Sequence, residues 1–374
     1  MKVLLVSSEF PPYGSGIASA VRSIRTHMLR MGAKVNVLSS GWADINLNSK
    51  LNSVPGLIGL ISFWERAADY LAKRANEYDI VWLHSPLLID ARKLRRASKI
   101  MVTIHTTYYG FYQAYKKHAI CRLLPYYFAA SKLENRFLKE ISLMPNTNVT
   151  AVSPSVAEEA KKNGLAYLPD FVPNGLETNN LAGLNETDKW VPLYKEHALQ
   201  FGREEKILVY IGRLTEQKQP LLLVNFFKAL SSIRSDANLI IVGNGNLLSK
   251  TRKKTAKLAK AYVLGYIPRI AVLNLLSRAS IYISLSCYEG LPLATIEAAS
   301  FGLPLILSDI PAHRWIIESG IGYGRTLNSR KPNYTEIPEF IENCVSTRKE
   351  FREPLLEKYT WNKVINQYLT LWNK

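Results

Sequence analysis

The chain has 374 residues, 47% of them hydrophobic, enough to build two cored domains. Charged residues at 21%, with 20 Gly and 18 Pro, exclude a disordered or low-complexity chain. The net charge of +18 points to polyanions as partners, whether nucleic acid, anionic lipid headgroups or phosphorylated small molecules, without choosing among them.

Short apolar, β-branched runs alternate with longer amphipathic segments, the pattern of parallel α/β sheets. Residues 2–7 predict a strand, 17–31 a helix and 33–38 a strand. Residues 61–77 predict a helix, and 80–84 and 100–105 two more strands. A helix near 131–141 precedes a strand at 148–152 and a helix at 155–163 with Ser153 as its N-cap. After a loop-like stretch at 172–186 the alternation restarts, with strands at 207–211, 238–242, 281–285 and 304–307 and helices at 221–230 and 293–300. The expected architecture is two Rossmann-like, doubly wound domains facing a central cleft, with ligands at the carboxyl ends of the strands. The hydrophobic start ends at Glu9 and Pro11, too soon for a signal peptide, and the apolar run 56–64 is well short of the roughly 20 residues of a membrane span. Cys121, Cys287 and Cys344 form neither a zinc spacing nor a disulfide framework. The expected setting is the cytoplasm, in solution or peripheral to a membrane.

The chemistry is sought where strands end. Pro12-Tyr-Gly-Ser-Gly16 joins the first strand to a helix, where glycine lets backbone amides approach an anion, though a plain tight turn fits as well. His105 ends a strand, a position that serves structure as readily as chemistry. Gly212-Arg213, with Lys218 five residues beyond Arg213, offers a planar fork and a point charge to a diphosphate. Either cation alone also suits a charged surface loop, and a surface cation contributes little to folding. The densest segment runs from Ser286 to Pro304 and holds Glu289-Gly290-Leu291-Pro292 ahead of a helix and Glu297 inside it. Pro292 near the first helical position leaves the amides of Leu293 and Ala294 for phosphate, while the two carboxylates suit sugar hydroxyls.

Glu289 and Glu297, with seven residues between them, resemble the E-x7-E motif of retaining glycosyltransferase family 4, a GT-B family. The likeness extends along the chain. Residues 7–16 resemble its glycine-rich first loop, and Asp79-Ile-Val-Trp-Leu-His-Ser-Pro86 its D-V-V-H-x-H-S-P strand. Val172-Pro-Asn-Gly-Leu176 resembles I-P-N-G-V, residues 211–218 resemble G-R-L-x-x-x-K, and Ile241-Val-Gly243-Asn-Gly245 resembles V-G-x-G. Tyr359-Thr-Trp361 is similar to the start of the final helix that crosses back to the N-terminal domain. The resemblance implies an acceptor-binding domain at 1–174, a nucleotide-sugar-binding domain at 175–358 and a crossing helix at 359–374. It implies that Arg213 and Lys218 neutralise the donor diphosphate without metal or cofactor, and that Glu297 holds the ribose hydroxyls. Glu289, with the amides of Gly290 to Leu293, would orient the transferred hexose. His105 would line the acceptor side, and Gly16, Gly212 and Gly243 would approach the donor. Front-face attack follows, the leaving phosphate oxygen taking the acceptor proton. Three positions depart from the family: Ser15 replaces the first glycine of a pair, Gln219 the glycine after the lysine, and Leu285 a proline.

Two other readings compete. A nucleotide-sugar epimerase or phosphorylase on the same fold would need an acid/base pair or a pyridoxal lysine. A basic nucleic-acid binder would draw on residues 92–139, which hold eleven Lys/Arg, the single acid Glu134 and many tyrosines, but nothing resembles a nucleic-acid module. The same stretch, with the apolar run 56–64, suits contact with an anionic membrane and a glycan or lipid-linked acceptor.

Overall fold

The computed structural model describes residues 1–11, 15–47, 56–87, 90–176, 205–328, 337–343 and 359–372. Cys344, residues 12–14 of the first loop and residues 177–186 of the interdomain loop lie outside this set. The chain divides into two compact units, Met1–Gly175 with Tyr359–Lys374, and Leu176–Lys358.

The first unit carries a seven-stranded sheet in the order β3-β2-β1-β4-β5-β6-β7. Its strands are β1 (Lys2–Ser7), β2 (Lys34–Ser39), β3 (Ile45–Asn46), β4 (Ile80–His84), β5 (Ile100–Ile104), β6 (Thr147–Ala151) and β7 (Asp170–Phe171). The second unit has six strands in the order β10-β9-β8-β11-β12-β13. These are β8 (Lys206–Ile211), β9 (Ala237–Val242), β10 (Ala261–Gly265), β11 (Ile281–Ser284), β12 (Leu305–Ser308) and β13 (Gly324–Leu327). Every pairing is parallel. Helices on both faces bury the sheets, which is why β1, β4, β5, β9 and β11 read as apolar runs with no alternation. In each sheet the strand order reverses once, between β1 and β4 and between β8 and β11, and ligands of such sheets bind outside the carboxyl ends at that point. Among the described residues no helix is long and apolar enough to cross a membrane.

Several elements differ from the sequence reading. The helix expected at 61–77 is Leu57–Arg74 followed by a short 3-10 turn, and the one near 131–141 begins at Leu124. Helices Tyr108–Lys117, Arg269–Arg278 and Pro311–Glu318 and strand β10 were not anticipated. The run 56–64 is no apolar patch: Phe63 and Trp64 are core, and Ile58 is its one strongly exposed hydrophobic side chain. The basic stretch is also less free than its count suggests. Arg92 chelates Asp90, Lys93 binds Asp69 and Arg136 binds Glu140, so the exposed cations there include Arg95, Arg96, Lys116, Lys117 and Arg122. Its tyrosines pack on one another between helices Tyr108–Lys117 and Leu124–Ile141, Phe111 stacking on Tyr127 at 4.8 Å. Glu134 is buried, accepts the Tyr108 and Tyr109 amides at 3.0 and 3.1 Å, and is pushed up to about 8 by burial.

The last helix, Trp361–Trp372, belongs to the first unit. Tyr368 and Trp372 meet Trp82 of β4 with ring centroids 4.6 and 5.2 Å away. Gly175 lies so close to Trp361 that an added Cβ would stand 2.7 Å from the indole, so only glycine fits there. Trp361→Ala should lower the stability of the first unit by about 3–5 kcal/mol, the cost of emptying a buried indole site. Asn366→Ala on the exposed side of the same helix should change it by less than about 0.5 kcal/mol in the same denaturant titration.

Candidate functional site

At the strand-order reversal of the second unit, β8 ends in Ile211-Gly212-Arg213 and β11 leads into the 285–292 loop. Two buried phenols pin the β8 end. Tyr210 donates to the Arg213 carbonyl at 3.0 Å and Tyr282 to the Ile211 carbonyl at 3.3 Å. Gly243, at φ +132°, backs onto Gly212 so closely that a Cβ would stand 1.9 Å from the Gly212 oxygen. Gly243 thus has a local reason to be glycine, since it lets two strand ends meet backbone to backbone. The turn that follows is bound to the other loop twice: the Cys287 amide donates to the Gln217 carbonyl at 2.8 Å, and Gln217 Nε2 donates to the Tyr288 carbonyl at 2.9 Å. Gln219, where the family has glycine, is held in the left-handed region at φ 49° and ψ 50°, which glycine would enter without strain.

These ties bring Lys218 and Glu289 together, 71 residues apart in sequence, with Nζ to Oε1 at 2.5 Å. Only 6% of the Glu289 side chain and 18% of the Lys218 side chain is exposed. Burial pushes Glu289 up, but the Lys218 charge and hydrogen bonds from Lys218 and Ser286 outweigh it and hold the carboxyl below the usual carboxylate range. The ammonium has three donors and Glu289 takes one, leaving two for a ligand. Arg213 is exposed, and among the described residues its guanidinium makes no ion pair. One of the two predicted cations is therefore mostly buried and paired with a carboxylate, and the other is exposed and makes no ion pair among the described residues. This corrects the expectation that Lys218 contributes little to folding.

Gly290, Leu291 and Pro292 are buried, and Pro292 is the N-cap of helix Leu293–Ser300, one position earlier than expected. Leu293 and Ala294 supply the first-turn amides and are partly exposed. Glu297, one turn on, is gripped by Arg269, with Nη1 and Nη2 at 2.7 and 2.6 Å from its two oxygens. Arg269 went unread because β10, the edge strand just before it, was not anticipated. A second unread residue is His313, fully buried two residues past Pro311. Its Nδ1 lies 3.0 Å from Ser308 Oγ and 3.1 Å from the Ser308 carbonyl. Ser308 Oγ gives its own proton to the Ser286 carbonyl at 2.5 Å, so Nδ1 is the protonated nitrogen. His313 and Ser308 thus brace the start of the Glu289 loop. Cys287 is no nucleophile, since burial and then the Glu289 charge push its thiol up to about 12.

In the first unit, Gly16 opens helix Gly16–Arg30 with nothing within 4 Å of an added Cβ. Ser15, the departure from the family loop, is the N-cap and accepts the Ala18 amide at 3.0 Å. His105 is only 4% exposed and meets His84, whose Nδ1 is 3.1 Å from its Nε2. Ser85, at φ 46°, accepts the His105 amide at 2.9 Å and fixes the strand end. Burial lowers His105 to about 4 and, with the His105 charge, puts His84 well below its ordinary value, so the pair is neutral at pH 7.

Two outcomes follow. Removing Lys218 leaves a buried carboxylate unpaired, so Lys218→Ala should cost about 3 kcal/mol of stability. Arg213→Ala should change stability by less than about 0.5 kcal/mol while lowering turnover about a hundredfold, and denaturant titration beside steady-state kinetics separates the two. The second outcome concerns pH. Burial lowers both His105 and His313 from 6.5 to about 4. The unfolded chain therefore binds protons below pH 6.5 that the folded chain refuses at His105, His313 and His84; Glu134, raised to about 8, works against this but does not outweigh three histidines, so stability is lost as pH falls from 6.5 to 4. Glu289, with its depressed pKa, acts in the same direction as pH falls through its own value. The melting temperature should fall across that window, less steeply in His313→Asn; a flat profile would contradict the assignment.

Two family models match the chain, one after the other. The model for Glycosyltransferase Family 4 matches residues 14–180, and that for Glycosyl transferases group 1 matches residues 195–350. The chain is 25% identical over 310 residues to an Escherichia coli enzyme, UDP-Gal:alpha-D-GlcNAc-diphosphoundecaprenol alpha-1,3-galactosyltransferase, spanning 80% of this chain and 74% of that one. Among solved structures, WaaG, a glycosyltransferase involved in lipopolysaccharide biosynthesis, superposes with a TM-score of 0.70 at 13% identity, covering 99% of this chain and 98% of WaaG. Sucrose-phosphate synthase from Thermosynechococcus elongatus gives 0.75 at 16% identity, covering 100% and 98%. With two parallel-sheet units and both family models matched in order, the chain belongs to the family 4 glycosyltransferases of the GT-B fold.

Proposed function

We propose that the chain is a retaining hexosyltransferase that takes a UDP- or GDP-linked hexose and transfers the sugar to the hydroxyl of a glycan or lipid-linked acceptor. The observation that carries this reading is the buried Lys218–Glu289 pair beside the first turn of helix Leu293–Ser300. A carboxylate kept charged and fixed at a strand-order reversal can accept hydrogen bonds from sugar hydroxyls. The adjacent ammonium and the Leu293 and Ala294 amides face the needs of a diphosphate. Arg213 adds an exposed, permanent charge. Together they supply the electrostatic stabilisation of a departing nucleoside diphosphate that a divalent ion would otherwise give, so no metal is required. Glu297 holds the ribose hydroxyls in this reading, Glu289 and Gly290 to Leu293 orient the hexose, and Gly212 and Gly243 shape the strand ends under the donor.

The first unit takes the acceptor, with His105 just past the end of β5. His105, neutral and hydrogen-bonded to His84, offers no charge to a sugar ring, which suits a positioning role better than proton transfer. No carboxylate nucleophile is assigned; the acceptor hydroxyl attacks on the face the leaving group departs from, and the phosphate oxygen takes its proton. A lipid-linked acceptor is favoured by the relative that acts on a diphosphoundecaprenol sugar and by the exposed cations Arg95, Arg96, Lys116, Lys117 and Arg122. Such cations draw a protein to anionic lipid reversibly, from a cytoplasmic position.

A transfer assay tests the reading as a whole. Wild type is supplied with UDP- and GDP-hexoses and a polyprenyl diphosphate sugar in vesicles. The product should carry the donor's anomeric configuration, form equally well in excess EDTA, and form faster on anionic than on neutral vesicles. Inverted product, or activity abolished by EDTA and restored by manganese, would contradict the mechanism, and indifference to vesicle charge would remove the membrane surface from it.

A further inference from the structure

The Arg269–Glu297 contact is a two-point pair, each nitrogen of the guanidinium fork meeting one carboxylate oxygen at 2.6–2.7 Å. Arg269 is the first residue of helix Arg269–Arg278, four residues past the end of β10, and Glu297 is the fifth residue of helix Leu293–Ser300. The two side chains are 42% and 20% exposed. A pair this open contributes little to stability, so its geometry needs another reason. The fork fixes the carboxylate plane and occupies one lone-pair direction on each oxygen. The directions left on the two oxygens diverge, so each oxygen can still accept one hydroxyl, but not the two hydroxyls of one diol together. Its charge also cancels that of Glu297, which would otherwise repel a diphosphate nucleotide bound alongside.

We propose that Arg269 is a positioning residue: it holds Glu297 so that the free direction of one oxygen accepts the ribose 2′-hydroxyl, and so gives the donor site its preference for ribonucleotides over deoxyribonucleotides. This rests on the reading of Glu297 as the ribose ligand. A conservative exchange to lysine keeps the charge but not the two-point hold, so orientation and neutralisation can be told apart.

The test is calorimetric titration of the full chain with UDP and dUDP, and with GDP and dGDP, which needs no acceptor and no turnover. Wild type should bind the ribonucleotide about tenfold or more tightly, the scale of one hydrogen bond to a charged group. Glu297→Gln should bring the ratio to within about threefold of unity. Arg269→Gln should do the same, and Arg269→Lys should recover affinity for both nucleotides but not the ratio. The double variant should discriminate no worse than Glu297→Gln alone, because Arg269 acts only through Glu297. Circular dichroism on each variant separates loss of fold from loss of orientation. Should Glu297→Gln abolish the preference while Arg269→Gln keeps it, the role of Arg269 is overturned and that of Glu297 stands. Should Glu297→Gln keep the preference, both fall together.

Discussion

A carboxylate buried to 6% exposure and kept charged is the constraint around which the second unit is arranged. Removing Glu289 from water costs several kcal/mol unless a counter-charge and hydrogen bonds replace the solvent. Lys218 supplies the charge, yet it sits on a different loop, so both loops must be held to within tenths of an ångström. The ties that do this are ordinary: Gln217 bonding the 287–288 backbone twice, two buried tyrosines fixing the β8 end, Gly243 under Gly212, and His313 with Ser308 bracing Ser286. Most of these join segments distant in sequence; the Tyr210–Arg213 and Ser308–His313 bonds are local. The polar pair is thus the product of the packing around it, and removal of either partner would leave the packing to hold an unpaired charge.

The two units solve the same topological problem with opposite electrostatics. At the reversal in the second sheet stands an ion pair with a free cation nearby, suited to an anionic leaving group. At the ends of β4 and β5 in the first sheet stand two imidazoles that burial keeps neutral, His84 stacked on Trp82 and His105 tilted against His84, carrying no charge for a ligand to neutralise. Part of the chain's +18 surplus is paired on the surface of the first unit, at Arg92, Lys93 and Arg136.

The central strands were legible because burial on both faces makes them continuous apolar runs, as Val3–Val6 and Leu239–Val242 are. Strand β10 was missed because it lies at a sheet edge, where Ala261, Tyr262 and Val263 are half-exposed and the run is weak. Helix Tyr108–Lys117 was missed because its tyrosines mask the 3.6-residue period; they bury themselves against the neighbouring helix and each other. The candidate site was readable wherever chemistry follows a strand end in sequence, at Gly212-Arg213 and at the 286–297 segment. Pairings across loops were not: nothing in the spacing joins Lys218 to Glu289, or Arg269 to Glu297. The pairing of Lys218 with Glu289 changed only its expected effect on folding, from a surface cation's to that of a charge held in a buried pair. The substitution of Gln219 for glycine was visible, but that it places a side chain in the left-handed region was not.

The diphosphate of a nucleotide donor should bind at the Lys218–Glu289 pair. A crystal structure of the chain grown with UDP or GDP measures this directly. The account predicts diphosphate oxygens about 2.8 Å from Lys218 Nζ and from the first-turn amides of helix Leu293–Ser300, with the ribose on Glu297. A nucleotide bound elsewhere, or seated there with its diphosphate turned away from Lys218, would contradict it.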